Sequence, residues 1–135
     1  LKKAGIIAAV AIIVVVAAVV FMMMSRDSKP SGFEAANGNL VISGSFAMTV
    51  PLSEISELEL TNTMPSVTKK TNGAWLGDNC KGEFLLENNI KARLYADISA
   101  PPFITFMFHD TVFYVNTGYA PDTESLYNQL KDNIK

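Results

Sequence analysis

The stretch FITFMFHDTVFYVNTGYAPDTESLYNQLKDNIK, Phe103 to Lys135, changes its hydrophobic period part-way along, and that change sets the fold class. Its first half holds two runs, FITFMF and TVFYVN, rich in aromatic and β-branched residues and separated only by His109-Asp110. Runs this close predict a tight antiparallel hairpin with His109-Asp110 exposed at its tip, where an Asp tolerates positive φ. After Gly118, Leu126, Leu130 and Ile134 recur at i, i+4 and i+8, with Tyr127 beside them. That is the period of an amphipathic helix of about 14 residues, whose apolar side must pack on something. Pro121 suits its first turn, while Asp122 and Glu124 near its start and Lys131 and Lys135 near its end complement the helix dipole.

Upstream, short strand-like runs repeat between turn residues. NLVIS follows Asn37-Gly38, and SFAMTVPL follows Ser43-Gly44. SEISELEL sets Ile55, Leu58 and Leu60 against Glu54, Glu57 and Glu59, with one slip in phase near Ser56. Asn72-Gly73 repeats the Asn-Gly hairpin signal. GEFLLEN and IKARLYADI flank Asn88-Asn89, a candidate two-residue turn. In the second of these runs Ile90, Ala92, Leu94 and Ala96 share one face and Lys91, Arg93, Tyr95 and Asp97 the other. The alternation predicts an amphipathic strand with one wet face. Ala100-Pro101-Pro102 ends it, because proline cannot serve a central ladder.

The other end of the chain is different in kind. Ala4 to Met24, AGIIAAVAIIVVVAAVVFMMM, runs without a charged or polar side chain and without proline. As a helix it would be about 31 Å long, close to the hydrocarbon thickness of a bilayer. A cleaved signal peptide has a shorter apolar core ending in small residues, whereas this run ends in Phe21-Met22-Met23-Met24. The expectation is therefore a transmembrane anchor over residues 1–24, a juxtamembrane linker over 25–32 (SRDSKPSG) and one domain over 33–135. Lys2 and Lys3 before the span balance Arg26 and Lys29 after it, so the positive-inside comparison leaves the side of the domain open. The chain begins at Leu1 rather than Met, and residues upstream could alter that balance.

Residues 33–135 carry seven basic and twelve acidic side chains, a formal charge of about −5. An acidic surface opposes nucleic-acid binding, which needs clustered Lys and Arg, and Lys69-Lys70 is the only basic pair. One Cys (Cys80) and one His (His109) cannot supply a Cys/His zinc cluster, so no metal is expected. No glycine-rich phosphate loop occurs and no cofactor is expected. GDNCKG reads as a loop with an incidental thiol, and Trp75 in NGAWLG as a loop residue that closes one end of a core or offers a ligand platform. His109 and Asp110 at a hairpin tip diverge and have no activated nucleophile beside them, so no catalytic residue is expected.

Strands in mostly meandering order followed by one C-terminal amphipathic helix resemble the bacterial pleckstrin-homology-like (PH-like) family, here behind a transmembrane helix. The resemblance is carried by VPLSEISELEL, GEFLLENNIKARLYADI, FITFMFHDTVFYVNT and APDTESLYNQLK, across roughly residues 45–135. It implies a mainly β fold: a two-sheet, partly open antiparallel barrel of about seven strands, capped by the C-terminal α-helix. It also implies a non-enzymatic binding or scaffolding module. Phosphoinositide-binding members resemble one another in a basic first hairpin loop. NLVISGSFAMTV has no basic residue, which argues against headgroup binding and carries no ligand residue over.

The expected function is a membrane-anchored module that binds a protein, or itself, near the membrane surface. Its candidate partner face is an exposed sheet edge or the strand face bearing Lys91, Arg93 and Tyr95. Ala4 with Ala8 and Gly5 with Ala9 fit small-xxx-small helix association. The alternatives are an extracytoplasmic ligand-binding domain and a small hydrolase built on His109 with Asp110.

Overall fold

The computed structural model describes residues 2–134; Leu1 and Lys135, which the sequence reading placed at the start of the anchor and the end of the domain, lie outside the described residues. Among the described residues the chain forms α1 (Lys2–Ser28), then β1 (Gly32–Ala36), β2 (Asn39–Ser43), β3 (Met48–Pro51), β4 (Ile55–Thr61), β5 (Val67–Leu76), β6 (Asn79–Leu86), β7 (Ile90–Asp97), β8 (Phe103–Phe108), β9 (Thr111–Val115) and α2 (Ala120–Asn133). The strands make two sheets, one in the order β1-β2-β3 and one in the order β4-β8-β9-β7-β6-β5, and neither closes on itself. The protein is mainly β, with two sheets, a C-terminal helix and an N-terminal apolar helix. Among the described residues there are nine strands rather than about seven, the two more being β1 and β5, GFEAA and VTKKTNGAWL, which no run read from the sequence covers.

The turns show which signals were sound. Asn37 and Gly38 have φ of 55° and 78° between the paired residues Ala36 and Asn39, as an Asn-Gly hairpin requires. Asn88 and Asn89, with φ of 63° and 59°, turn β6 into β7, but in a three-residue loop with Glu87, between the paired Leu86 and Ile90, rather than as a two-residue turn. At the β8–β9 tip it is His109, with φ 54°, that takes the left-handed conformation, and not Asp110. The slip near Ser56 is a β-bulge: the pairing of β4 with β8 shifts between Ser56 and Glu59, and Glu57 has φ 55°.

Two expectations fail. Asn72-Gly73 makes no turn; it lies inside β5, opposite Glu83 and Gly82, and the reversal comes at Gly77-Asp78. Gly73 is required for close approach instead, since a Cβ there would lie 2.6 Å from the Lys81 carbonyl oxygen. SFAMTVPL is not one strand either. Ser45 and Phe46 form a turn, Phe46 has φ 60°, and β3 starts only at Met48.

One pair in the large sheet is parallel. β7 ends at Asp97, the chain passes over residues 98–102 to β8, and β9 then returns between them, antiparallel to β8 and parallel to β7. Asn116 follows β9 directly and sits beneath that crossing. Its side chain is fully buried, accepting from the Asp97 N–H (2.9 Å) and donating to the carbonyls of Asp97 (2.9 Å) and Ala100 (3.0 Å).

The large sheet must also curl. Five strand spacings of about 4.8 Å would put its edges, β4 and β5, about 24 Å apart when flat. Residues 62–66 join Thr61 to Val67 and reach at most about 22 Å. Curling creates two cores. On the inner face Tyr95, Ile104, Phe106, Phe113 and Val115 meet Leu40, Ile42 and Val50 of the small sheet and Leu126 and Leu130 of α2. On the outer face Cys80, Phe84, Leu86, Ala92 and Leu94 are covered in part by Met64 and Val67 around the β4–β5 connection. A buried Phe or Leu contributes about 1.5–3 kcal/mol, so the stacked Phe106–Phe113 pair, 4.8 Å between centroids, anchors the inner core.

In α1 the window Gly5–Met22 has a mean hydropathy of 3.1, and none of it is buried against the rest of the chain. It is long and apolar enough to cross a membrane. The helix continues through Ser28, past the expected anchor end at Met24, because no breaker occurs before Pro30. Only Lys29, Pro30 and Ser31 separate it from β1. Pro30 lies so close to Gly118 that a Cβ there would sit 2.9 Å from its Cγ, and Ser31 is buried.

Candidate functional site

The β6–β7 hairpin places its side chains in rows across the inner face of the large sheet. Leu85 pairs with Lys91, Glu83 with Arg93, and Lys81 with Tyr95. β5 extends the first row with Lys69, opposite Leu85, and β9 continues the second with Phe113, opposite Arg93. The third row runs into the core through Val115. α2 lies against β1, β4 and β8, at the other side of the curl, while α1 comes against β5 and β6 with Phe21 and Met22 beside the buried Lys81, so only the first two rows reach the surface.

The expected face of Lys91, Arg93 and Tyr95 is therefore graded rather than uniformly wet. Lys91 is exposed and Arg93 half-buried, but Tyr95 is fully buried. Tyr95 is corrected from a surface contact to a core residue, because the small sheet folds over its end of β7. Ile90, expected inside, is exposed at the strand's outer end. The wet-face reading treated β7 as covered on one side, whereas the small sheet covers its second half on the other side too.

Tyr95 nevertheless builds the site. Its hydroxyl donates to the Phe46 carbonyl (2.7 Å) and accepts from the Arg93 guanidinium through Nη2 (2.9 Å) and Nε (3.3 Å). Arg93 Nη1 reaches Glu83 Oε1 at 3.4 Å. Burial pushes the Tyr95 hydroxyl above its ordinary pKa of 10.0, with Arg93 pulling the other way, so it stays a donor at neutral pH. The chain Glu83–Arg93–Tyr95–Phe46 thus ties the small sheet's β2–β3 turn to the large sheet. Beside it a cavity of about 280 Å³ is lined by Thr71, Glu83, Leu85, Lys91 and Thr111 among others. Comparison with protein-family models, curated proteins and solved structures finds no match to this chain.

The remaining candidates lie apart from this cluster. His109 faces Glu54, with Nε2 at 3.5 Å from Oε1, and packs edge-on against Phe108. Its carboxylate neighbour is therefore Glu54 rather than Asp110. Trp75 lies in β5 rather than a loop, half-exposed, its Nε1–H donating to the Gly77 carbonyl at 3.0 Å and its ring edge-on to Phe84. Among the described residues no group of His, Cys, Asp and Glu could hold a metal ion.

Cys80 is not in a loop. It is fully buried in β6, and burial, then Asp78 and Asp97, push its thiol from 9.0 to about 12. The raised value contributes stability that is complete below pH ~9 and is lost as pH rises toward 12. Native protein should accordingly resist alkylation by iodoacetamide at pH 8 and react at the ordinary rate once unfolded in guanidinium. Fast native alkylation at pH 8 would show that the thiol is reached without unfolding.

The sequence reading missed Lys81, Glu83, Lys69 and Phe46. Counting outward from Asn88-Asn89 as a two-residue turn would have set Phe84 opposite Arg93 and Gly82 opposite Tyr95, one residue out of register, because the loop holds three residues, Glu87–Asn89, and Leu86 pairs with Ile90. Phe46 carried no such signal, since its role depends on a carbonyl held by a residue 49 positions away.

Proposed function

We propose that this chain is a single-pass, membrane-tethered PH-like module without catalytic chemistry, which holds a protein partner close to the bilayer. The observation that carries the reading is the exposed end of the inner face of β5, β6 and β7, away from the buried Lys81 and Tyr95. It presents Lys69, Lys91 and Arg93, three of the domain's few cations, on a domain of net negative charge. Clustered cations on an otherwise acidic surface select where a partner's acidic patch docks. The two-sheet architecture with a terminal helix supports the PH-like resemblance, and the parallel β7–β9 pair departs from its meander. The apolar span of α1 supports the tether. Placement of His109 against Glu54 and burial of Cys80 support a non-enzymatic reading.

The test is in-cell photo-crosslinking from position 91, with position 128 on the exposed side of α2 as the comparison. A discrete protein adduct from 91, absent from 128 and lost on Arg93→Glu, is the expected result. Adducts to lipid alone, or the same adducts from both positions, would refute the reading.

A further inference from the structure

β5 is an edge strand. It pairs only with β6, so one row of its main-chain groups has no neighbouring strand; α1 meets β5 and β6, with Phe21 and Met22 sharing a cavity with Lys81, the partner of Ala74, and residues 68–72 stay exposed. Such an edge is a template for an added strand, and proteins commonly guard it with Lys and bulges. β5 carries both devices, with register shifts between Val67 and Lys69 and between Lys70 and Asn72. Between those shifts the pairing is regular: Lys69 lies opposite Leu85 and Lys70 opposite Phe84. Successive residues of a strand point to opposite faces, so the two ammonium groups flank the edge from both sides. Both lysines are exposed, and neither has an ion-pair or hydrogen-bond partner for its ammonium group among the described residues.

These lysines form the only adjacent basic pair in residues 33–135, and they sit on the sheet's open edge. A second β5 added there would set Lys against Lys, and a neutral strand would leave both charges unmet. A strand with two consecutive acidic residues meets both, one on each face. We propose that the β5 edge accepts an extended acidic segment of a partner protein as an added strand, with a consecutive pair of Asp or Glu side chains opposite Lys69 and Lys70. This rests on the protein-binding reading above and names its partner: a β-forming segment with an acidic pair, read by main-chain hydrogen bonds and two charge contacts.

The full chain in phosphatidylcholine nanodiscs is titrated by fluorescence anisotropy with a labelled peptide, Thr-Val-Thr-Glu-Glu-Val-Thr-Val. A Lys-Lys version and a version N-methylated at alternate amides serve as controls. The Glu-Glu peptide should bind. Lys69→Glu/Lys70→Glu should weaken it by about tenfold or more, as should N-methylation, with the thermal midpoint unchanged. Lys69→Gln/Lys70→Gln should fall between. Equal binding of the Lys-Lys peptide would overturn the proposal, as would no binding of any peptide. Binding that survives Lys69→Glu/Lys70→Glu and is lost on Arg93→Glu would move the site to the inner face, overturning the edge proposal and sparing the protein-binding reading. Salt-sensitive dimers abolished by Glu57→Lys/Glu59→Lys, with no peptide bound, would make the β4 edge of a second copy the occupant and overturn it likewise.

Discussion

Replacing Asn116 by Ala should lower stability by about 3–5 kcal/mol, the largest loss expected from a single polar side chain in this domain. Three hydrogen bonds disappear, and the part-buried Asp97 N–H and Ala100 carbonyl lose their partner, while the Asp97 carbonyl keeps the Ala100 N–H at 3.2 Å. No neighbouring strand can supply them, since they belong to the crossing that carries the chain from β7 over β9 to β8. Asn116→Asp is the sharper variant. It keeps the shape and the acceptor for the Asp97 N–H, but turns a carboxylate toward two carbonyl oxygens in a site without solvent. Burial and those oxygens raise its folded pKa above the unfolded value of about 3.9. The penalty is thus smallest below pH ~4 and grows as pH rises through the folded pKa. Urea unfolding at pH 3.5 and pH 7 tests this, and an equal deficit at both would mean that Asn116 acts by shape alone.

Gly82→Ala should cost about 3 kcal/mol, which for a domain of this size lowers the thermal midpoint by roughly 15 °C. Gly82 has φ 107°, and a Cβ there would meet the Asn72 carbonyl oxygen at 2.7 Å and Gly73 Cα at 2.8 Å. Both obstacles are backbone, so neither can rotate away. The third neighbour, Phe46 Cδ1 at 3.2 Å, belongs to the turn whose carbonyl accepts from Tyr95. Displacing that ring also loosens the Arg93 cluster. Combining Gly82→Ala with Phe46→Ala should recover little, because the backbone contacts remain. A near-complete recovery would show that the aromatic ring alone needs the glycine. Thermal scans of the two single variants and the double variant separate these cases.

Local signals carried the reading of the sequence a long way. Asn37-Gly38, Asn88-Asn89 and the phase slip at Ser56 each act within a few residues, and each appears where the sequence puts it. The Leu126, Leu130 and Ile134 spacing likewise sets α2, with Leu126 and Leu130 in the core. Asn72-Gly73 misled because one dipeptide meets two different demands, a left-handed turn or a backbone brought close to its neighbour. Tyr95 misled because alternation shows two faces but not how many of them are covered; that depends on the small sheet, whose Leu40, Ile42 and Val50 pack on the Tyr95 face from far away in sequence. Lys69 was hidden as well: it joins Lys91 and Arg93 only through strand pairing across Leu85, and a linear charge count of the domain gives an acidic surface.

The stub Lys29–Pro30–Ser31 also limits range. Three residues span at most about 11 Å, and here Ser31 is buried and Pro30 lies against Gly118 rather than trailing free. On the single-pass reading, the domain cannot sample the volume that a long flexible leash would open to it. Targets embedded in or resting on the same bilayer meet it at high effective concentration, while those held further out are beyond its reach however well their surfaces match. On that reading, a chain built this way would sort its partners first by their height above the membrane and only then by charge.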